Sequence, residues 1–147
     1  MKQKEIFLQS EADAWFERNH QALRSRVFDL SDPVIEAVSS IINQPDYGSA
    51  RVKVLEIGCG EANRLSWISK NLDVDVYGVD PSLKAVELAV EKEVHAEHGT
   101  ADHLPFESGF FNIVIFGFCL YLCDREDLFR IAQEADRVLK NEAWLVI

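Results

Sequence analysis

The sequence is short of cysteine, of basic residues and of long apolar runs, and each shortage removes a class of protein. Three cysteines in 147 residues, Cys59, Cys119 and Cys123, are too few for a disulfide scaffold, and their spacing fits no zinc-site pattern. They read as free thiols, so no metal is expected and the chain is expected in the cytoplasm. Fifteen Lys and Arg against 25 Asp and Glu give a net charge of −10. That balance argues against a nucleic-acid backbone or an anionic membrane as the partner. No apolar run approaches the roughly 20 residues that span a bilayer, and the opening MKQKEIFLQSEADAW has no signal-peptide core. Repeats and low-complexity tracts are lacking too.

What is present is ordinary globular composition, 48% hydrophobic and 27% charged, at a length that suits one domain over 1–147. Residues 1–49 read as a helical segment and 50–147 as an alternation of strands and helices. Ser10 and Asp13 resemble a capping box, ahead of Ala12, Trp15, Phe16, Leu23 and Val27 on one helical face. Asp32 and Pro33 open a second helix, carrying Val34, Ile35, Val38, Ile41 and Ile42, and the turn-formers of 43–49 close it. Strands follow at 52–57, 74–79, near 94–98, at 111–116 and from Ala143 to Ile147. Between them lie helices bearing Leu65, Ile68 and Leu72; then Ala85, Val86, Leu88, Ala89 and Val90; then, capped by Asp124, Leu128, Ile131, Ala132, Ala135, Val138 and Leu139. This alternation predicts an α/β fold, Rossmann-like and doubly wound, with a mainly parallel sheet and helices on both faces. Ligands bind such sheets beyond the carboxyl ends of the strands.

Glycine is also scarce, seven in all, yet Gly58 and Gly60 share the turn after the first strand. There they allow a tight turn and close approach of a ligand to backbone, with the N–H groups of the next helix facing the same space. Asn63 stands where the dinucleotide pattern GxGxxG has its third glycine. Glu56, two residues before Gly58, would repel a pyrophosphate and attract a cationic group.

In this context VLEIGCGEANRL resembles the first motif of class I S-adenosylmethionine-dependent methyltransferases. The resemblance extends through YGVDPS, GTADHLPFESGFFNIVIF and EADRVLK, covering roughly residues 50–147. It implies S-adenosylmethionine as cofactor, S-adenosylhomocysteine as product and a small-molecule acceptor, such as a metabolite or sugar. By position it assigns the methionine part to the backbone at Gly58, Cys59 and Gly60, and the cofactor's amino end to Glu56. Asp80 would take both ribose hydroxyls, and Pro81 with Ser82 would border the adenine. Thr100 stands where the family often has an acid, so the adenine edge falls to Thr100, Ala101 and Asp102. Phe116 and Gly117 would lie beneath the cofactor. WFERN is similar to the leading segment of small bacterial methyltransferases, some linked to surface-sugar pathways; otherwise Trp15 and Phe16 are core residues.

No side chain declares itself as a general base, and His20 and Tyr121 are the weak candidates. Two other readings stand beside the enzyme: a non-catalytic cofactor-binding or interaction module, and a nucleotide-dependent oxidoreductase, which Asn63 and Glu56 disfavour. The family sheet carries two further strands after the fifth, and this chain stops at Ile147. A fragment or a reduced form is therefore expected, with the exposed strand at Trp144–Ile147 offering a route to a homo-oligomer.

Overall fold

The computed structural model describes residues 2–44 and 50–147; Pro45–Ser49, read above as part of a turn, lie outside the described residues. The chain begins with α1 (Gln3–Ile6), passes through a π-helical segment (Phe7–Glu11) and continues into α2 (Ala12–Arg24). After α3 (Pro33–Ile42) come β1 (Val52–Ile57), α4 (Asn63–Asn71), β2 (Val74–Asp80), α5 (Leu83–Glu91) and β3 (His95–His98). Then follow β4 (Phe111–Phe116), two single 3₁₀ turns, α6 (Leu128–Val138) and β5 (Leu139–Val146).

The five strands form one sheet in the order β3-β2-β1-β4-β5, and every pairing is parallel. The chain builds outward from β1 to β3, then crosses back to place β4 on the other side of β1. The strand order thus reverses between β1 and β4, which opens a crevice at their carboxyl ends.

Alternation along the strands feeds two cores, one on each face. Val52, Val54, Val74 and Val76 pack with Ile35 and Val38 of α3 and Leu65 and Ile68 of α4. Leu55, Ile57, Val114 and Phe116 pack with Ile131, Ala135 and Val138 of α6 on the opposite face. Glu56 shares the β1 face of Val54, so a carboxylate is carried into the layer between the sheet and α3/α4. Asp32 caps α3 as expected, accepting from the N–H groups of Val34 and Ile35 with Pro33 in the first turn.

Several local expectations are corrected. Ser10 begins no helix, because the helix already runs from Gln3 and Ser10 lies inside its π segment. Asp13 instead reaches across to α5, accepting from Ser82 Oγ at 2.6 Å and Lys84 N at 3.2 Å. Asp124 does not cap α6; its carboxylate accepts from the backbone N–H groups of Gln3 and Lys4, 3.1 Å each, and so caps α1. Leu128 and Ala132 face solvent rather than the core, as do Val27 and Val90. The last strand starts at Leu139, directly from α6, and reaches regular pairing with β4 only after an irregularity between Phe111 and Ile113. Among the described residues no helix is long and apolar enough to cross a membrane.

Candidate functional site

The carboxyl ends of β1, β2, β3 and β4 open onto a cavity of about 310 Å³, closed on the far side by residues of α1, the π segment and α2. Its wall includes Glu56, Gly58, Cys59, Gly60, Asp80, Pro81, Thr100, Ala101 and Asp102. Residues from three separate turns, singled out in the sequence, are thereby brought to one place. Phe116 is the exception: it is buried in the core against α6. Gly117 and Phe118 take the wall position instead, because β4 ends at Phe116 with its side chain on the α6 face.

The glycine turn is built for close approach. Gly58 and Gly60 both have positive φ, +75° and +55°, and Ala62 follows in the left-handed region at the start of α4. A Cβ on Gly58 would lie 2.6 Å from Cys119 Cβ, whereas one on Gly60 would meet nothing within 4 Å. Cys59 offers only backbone, since its buried side chain sits over Gly78, where a Cβ would come within 2.6 Å of Cys59 Sγ. Lys92 pins the turn from α5, reaching Glu61 O and Oε2 at 2.8 Å and Asn63 Oδ1 at 2.7 Å.

These glycines predict a separation of effects. Gly60→Ala meets open space and only the left-handed φ, a penalty of about 1–2 kcal/mol, so the variant should fold. Any ligand that lies against the Gly60 backbone should bind the variant more weakly, while its stability falls only by that penalty, as thermal melting beside calorimetric titration would show. Parent-like binding in a folded variant would contradict this.

Asp80 closes the neighbouring side. Its Oδ2 accepts from Gly60 N at 2.8 Å and its Oδ1 from Ser82 N at 2.9 Å. Burial raises its pKa, with those two N–H groups acting in the opposite sense. Ser82, and not Asp80, caps α5 by accepting from Ala85 N at 3.1 Å. The carboxylate is thus oriented by two backbone donors, with a further lone pair on each oxygen for a ligand. Beyond it, the loop carrying Thr100 to Asp102 is held by α6: Glu134 accepts from Leu104 N at 2.8 Å, and Arg137 donates to Leu104 O and Phe106 O.

Asp102 is buried and ion-paired with Lys4 of α1, which also reaches Asp127 at 3.1 Å. Against the cost of burial, the hydrogen bond from Lys4 holds the Asp102 carboxyl below its usual range. The helical segment over the cavity is therefore fastened to the loop after β3 by charge.

Glu56 lies at the other end, ion-paired through Oε1 with Arg64 of α4. Burial pushes its pKa up to about 7, with Arg64 pulling the other way. Arg64 also contacts Asp32, Nε to Oδ1 at 3.4 Å. The sequence reading missed Arg64, although its spacing of four from Ile68 puts it on the buried stripe of α4. It also missed Lys4 and Lys92, whose roles depend on contacts far along the chain, and Arg26 and Phe28, which line the cavity. Tyr121 lines the cavity but is largely exposed. His20 sits behind the wall, its ring 4.9 Å from that of Phe16 and its Nδ1 3.7 Å from Glu61 Oε1.

Comparison with known proteins gives a consistent picture. A family profile described as a methyltransferase domain matches residues 55–147. The demethylmenaquinone methyltransferase of Staphylococcus haemolyticus is 34% identical over 101 residues, covering 64% of this chain and 41% of that protein. Among solved structures, the YcgJ protein of Bacillus subtilis is 26% identical with a TM-score of 0.61, covering 76% of this chain and 48% of that one. A methyltransferase of Thermotoga maritima dependent on S-adenosylmethionine, 24% identical with a TM-score of 0.60, shares the fold across 96% of this chain and 58% of its own. The chain spans about half the length of the relatives it matches.

Proposed function

Because the chain belongs to the class I S-adenosylmethionine-dependent methyltransferase family, we propose that its cavity binds S-adenosylmethionine and that the protein transfers the methyl group to a small-molecule acceptor. The observation that carries this reading is the convergence of Glu56, the Gly58–Gly60 turn and Asp80 on one cavity. The residues fit the group. A cationic amino end would lie toward Glu56 at the cavity wall, backbone approach is open at Gly60, and a diol would meet the oriented carboxylate of Asp80. Pro81, Thr100, Ala101 and Asp102 would border the base. A pyrophosphate would meet Glu56 and Asp80, both acidic, which disfavours a dinucleotide.

When bound, S-adenosylmethionine supplies a methyl already activated by its sulfonium. The protein's contribution is then alignment and exclusion of water, for which the helical cover with Phe7, Trp15 and Phe16 at the cavity is suited. The demethylmenaquinone that gives the Staphylococcus haemolyticus relative its name supports a small organic acceptor here. The unpaired outer side of β5 among the described residues, with Trp144 and Leu145 part-exposed, supports self-association of this chain, read by light scattering over a concentration series. The proposal is tested by calorimetric titration with S-adenosylhomocysteine and with NAD. Saturable one-to-one binding of the first alone is expected; binding of NAD alone would overturn it.

The Glu56 carboxyl adds a pH signature. Its folded pKa, about 7, lies above that of a free carboxyl, so below pH 7 the group holds a proton that an incoming ammonium must displace. Affinity for S-adenosylhomocysteine should therefore rise with pH up to about 7, by at most about tenfold per unit, and level off above it. Glu56→Gln should flatten the profile. A parent profile already flat between pH 5.5 and 8 would refute this role. By the same linkage, Glu56 lowers the stability of the free protein as pH rises from the ordinary carboxyl range to about 7.

A further inference from the structure

We propose that Cys119 and Cys123 form a reversible oxidation site: hydrogen peroxide joins them in a disulfide, and the oxidised chain binds its cofactor more weakly. The first half stands on the two thiols alone; the second rests on the cofactor reading above.

The two cysteines flank a single 3₁₀ turn, Leu120–Leu122, after β4. Cys119 O accepts from Leu122 N at 3.0 Å and Leu120 O accepts from Cys123 N at 3.1 Å. This winding brings residues four apart to one side, and Cys123 Sγ reaches back to 3.5 Å from Cys119 O. Both side chains border the cavity and are part-exposed free thiols, whereas Cys59 is buried. A small oxidant entering the cavity therefore meets two adjoining thiols.

Their roles differ. A hydrogen bond from Cys119 favours the Cys123 thiolate, against its burial and the nearby Asp102, Asp124 and Asp127. The same bond, with burial, keeps Cys119 protonated. The thiolate is the nucleophile, so the Cys123 sulfur attacks one peroxide oxygen. The O–O bond breaks, Cys123 becomes a sulfenic acid, and the departing hydroxide takes up the proton that Cys123 released. The Cys119 sulfur then displaces hydroxide from the Cys123 sulfur. The S–S bond forms as the S–O bond breaks, and the Cys119 proton leaves with the hydroxide as water. Two thiols lose two electrons and one peroxide becomes two waters. An external dithiol reverses the change by exchange.

Side chains one helical turn apart have Cβ atoms about 5–6 Å from each other, and a disulfide draws them to about 3.8 Å. The turn must therefore tighten, and Cys119 cannot move unnoticed. A Cβ on Gly58 would lie 2.6 Å from Cys119 Cβ and 2.9 Å from its Sγ, and that Sγ stands 3.4 Å from Ile57 O. On the other side of Cys123, Asp124 holds the N–H groups of Gln3 and Lys4 at the start of α1. One new bond thus pulls on the glycine turn and on the helical cover together.

The test treats the reduced full chain with hydrogen peroxide, blocks the remaining thiols of the unfolded protein with N-ethylmaleimide and maps its tryptic peptides. Residues 93–125 form one such peptide, which holds Cys119 and Cys123 and excludes Cys59. It should be lighter by two hydrogens, carry no maleimide, and accept two after dithiothreitol. Cys119→Ser should stop at the Cys123 sulfenic acid, trapped by dimedone, whereas Cys123→Ser should leave Cys119 reduced. The oxidised parent should bind S-adenosylhomocysteine at least about tenfold more weakly than the reduced parent in calorimetric titration, with affinity restored by dithiothreitol.

A treated peptide that still carries two maleimides, that bears Cys123 as a sulfinic acid beside a free Cys119, or that is joined to a second chain would overturn the site. If a serine variant fails to fold, the parent peptide alone decides. Equal affinities of the oxidised and reduced parent would overturn the coupling to the cofactor. A reduced parent that does not bind S-adenosylhomocysteine would refute the cofactor reading and the coupling with it, while the peptide still decides the disulfide.

Discussion

Asp80→Ala is expected to abolish binding of S-adenosylhomocysteine at concentrations that saturate the parent. The carboxylate accepts from Gly60 N and Ser82 N, which fixes its plane at the end of β2 and leaves a lone pair on each oxygen toward the cavity. Two ribose hydroxyls donating to a carboxylate contribute on the order of 1.5–3 kcal/mol each, so their joint loss weakens binding by roughly a hundredfold to more than ten-thousandfold. Alanine also strips an acceptor from each of the two N–H groups and loosens the glycine turn. Asp80→Asn separates these effects. It keeps an acceptor for one backbone N–H while losing the charge and one accepting oxygen, so it should melt closer to the parent and still bind poorly. An Asp80→Ala protein that bound within a few-fold of the parent would remove Asp80 from the site.

The second large effect belongs to Gly117. A Cβ there would sit 2.7 Å from Gly58 O, 2.8 Å from Glu56 Oε1 and 3.1 Å from Ile57 O. Two of these are backbone oxygens at the end of β1, and Gly117 N already donates to Ile57 O at 2.8 Å. The turns after β1 and β4 thus touch backbone to backbone, and a methyl can be admitted only by prising the two strand ends apart. Overpacking of this kind costs about 1–3 kcal/mol, or about 3–12 °C in Tm for a domain of this size, and it disorders Glu56 and Gly58 together. Gly117→Ala should therefore lose stability by overpacking and cofactor binding with it, whereas Gly60→Ala, whose added atom meets open space, should lose only the left-handed φ penalty and the close approach of the ligand. Melting temperatures of the two variants measured side by side decide the matter; a Gly117→Ala protein with the parent's Tm would show that the contact yields easily.

The contrast between these glycines marks where the sequence was legible. Positive φ at Gly58 and Gly60 could be anticipated from a turn squeezed between a strand and a helix. That Gly117 matters through the carbonyls of Ile57 and Gly58 depends on β4 crossing back to lie beside β1, which no local pattern announces. The strands themselves were readable, 111–116 as an apolar run broken only by Asn112 and 52–57 as a short β-rich run that stops at Gly58. Capping was readable where acid and helix adjoin, as at Asp32, and misleading where the acid serves a distant helix. Asp13 and Asp124 look like local caps, yet they bind the start of α5 and the start of α1. The charged members of the site were half visible. Glu56 and Asp80 stand at strand ends in a recognised pattern, whereas Arg64 looks like an ordinary surface residue unless its spacing from Ile68 is weighed. Of the pair read as lying beneath the cofactor, Gly117 lines the cavity, whereas Phe116 is the core residue that its apolar run equally allowed, because its side chain falls on the α6 face of β4.

The central claim, that this cavity holds S-adenosylmethionine with its ribose on Asp80, is tested most directly by a crystal structure of the chain grown with S-adenosylhomocysteine. The account predicts the ligand in the crevice between β1 and β4, both ribose hydroxyls donating to the Asp80 carboxylate and the amino end at Glu56. A ligand seated elsewhere, or in the cavity with its ribose turned away from Asp80, would contradict it.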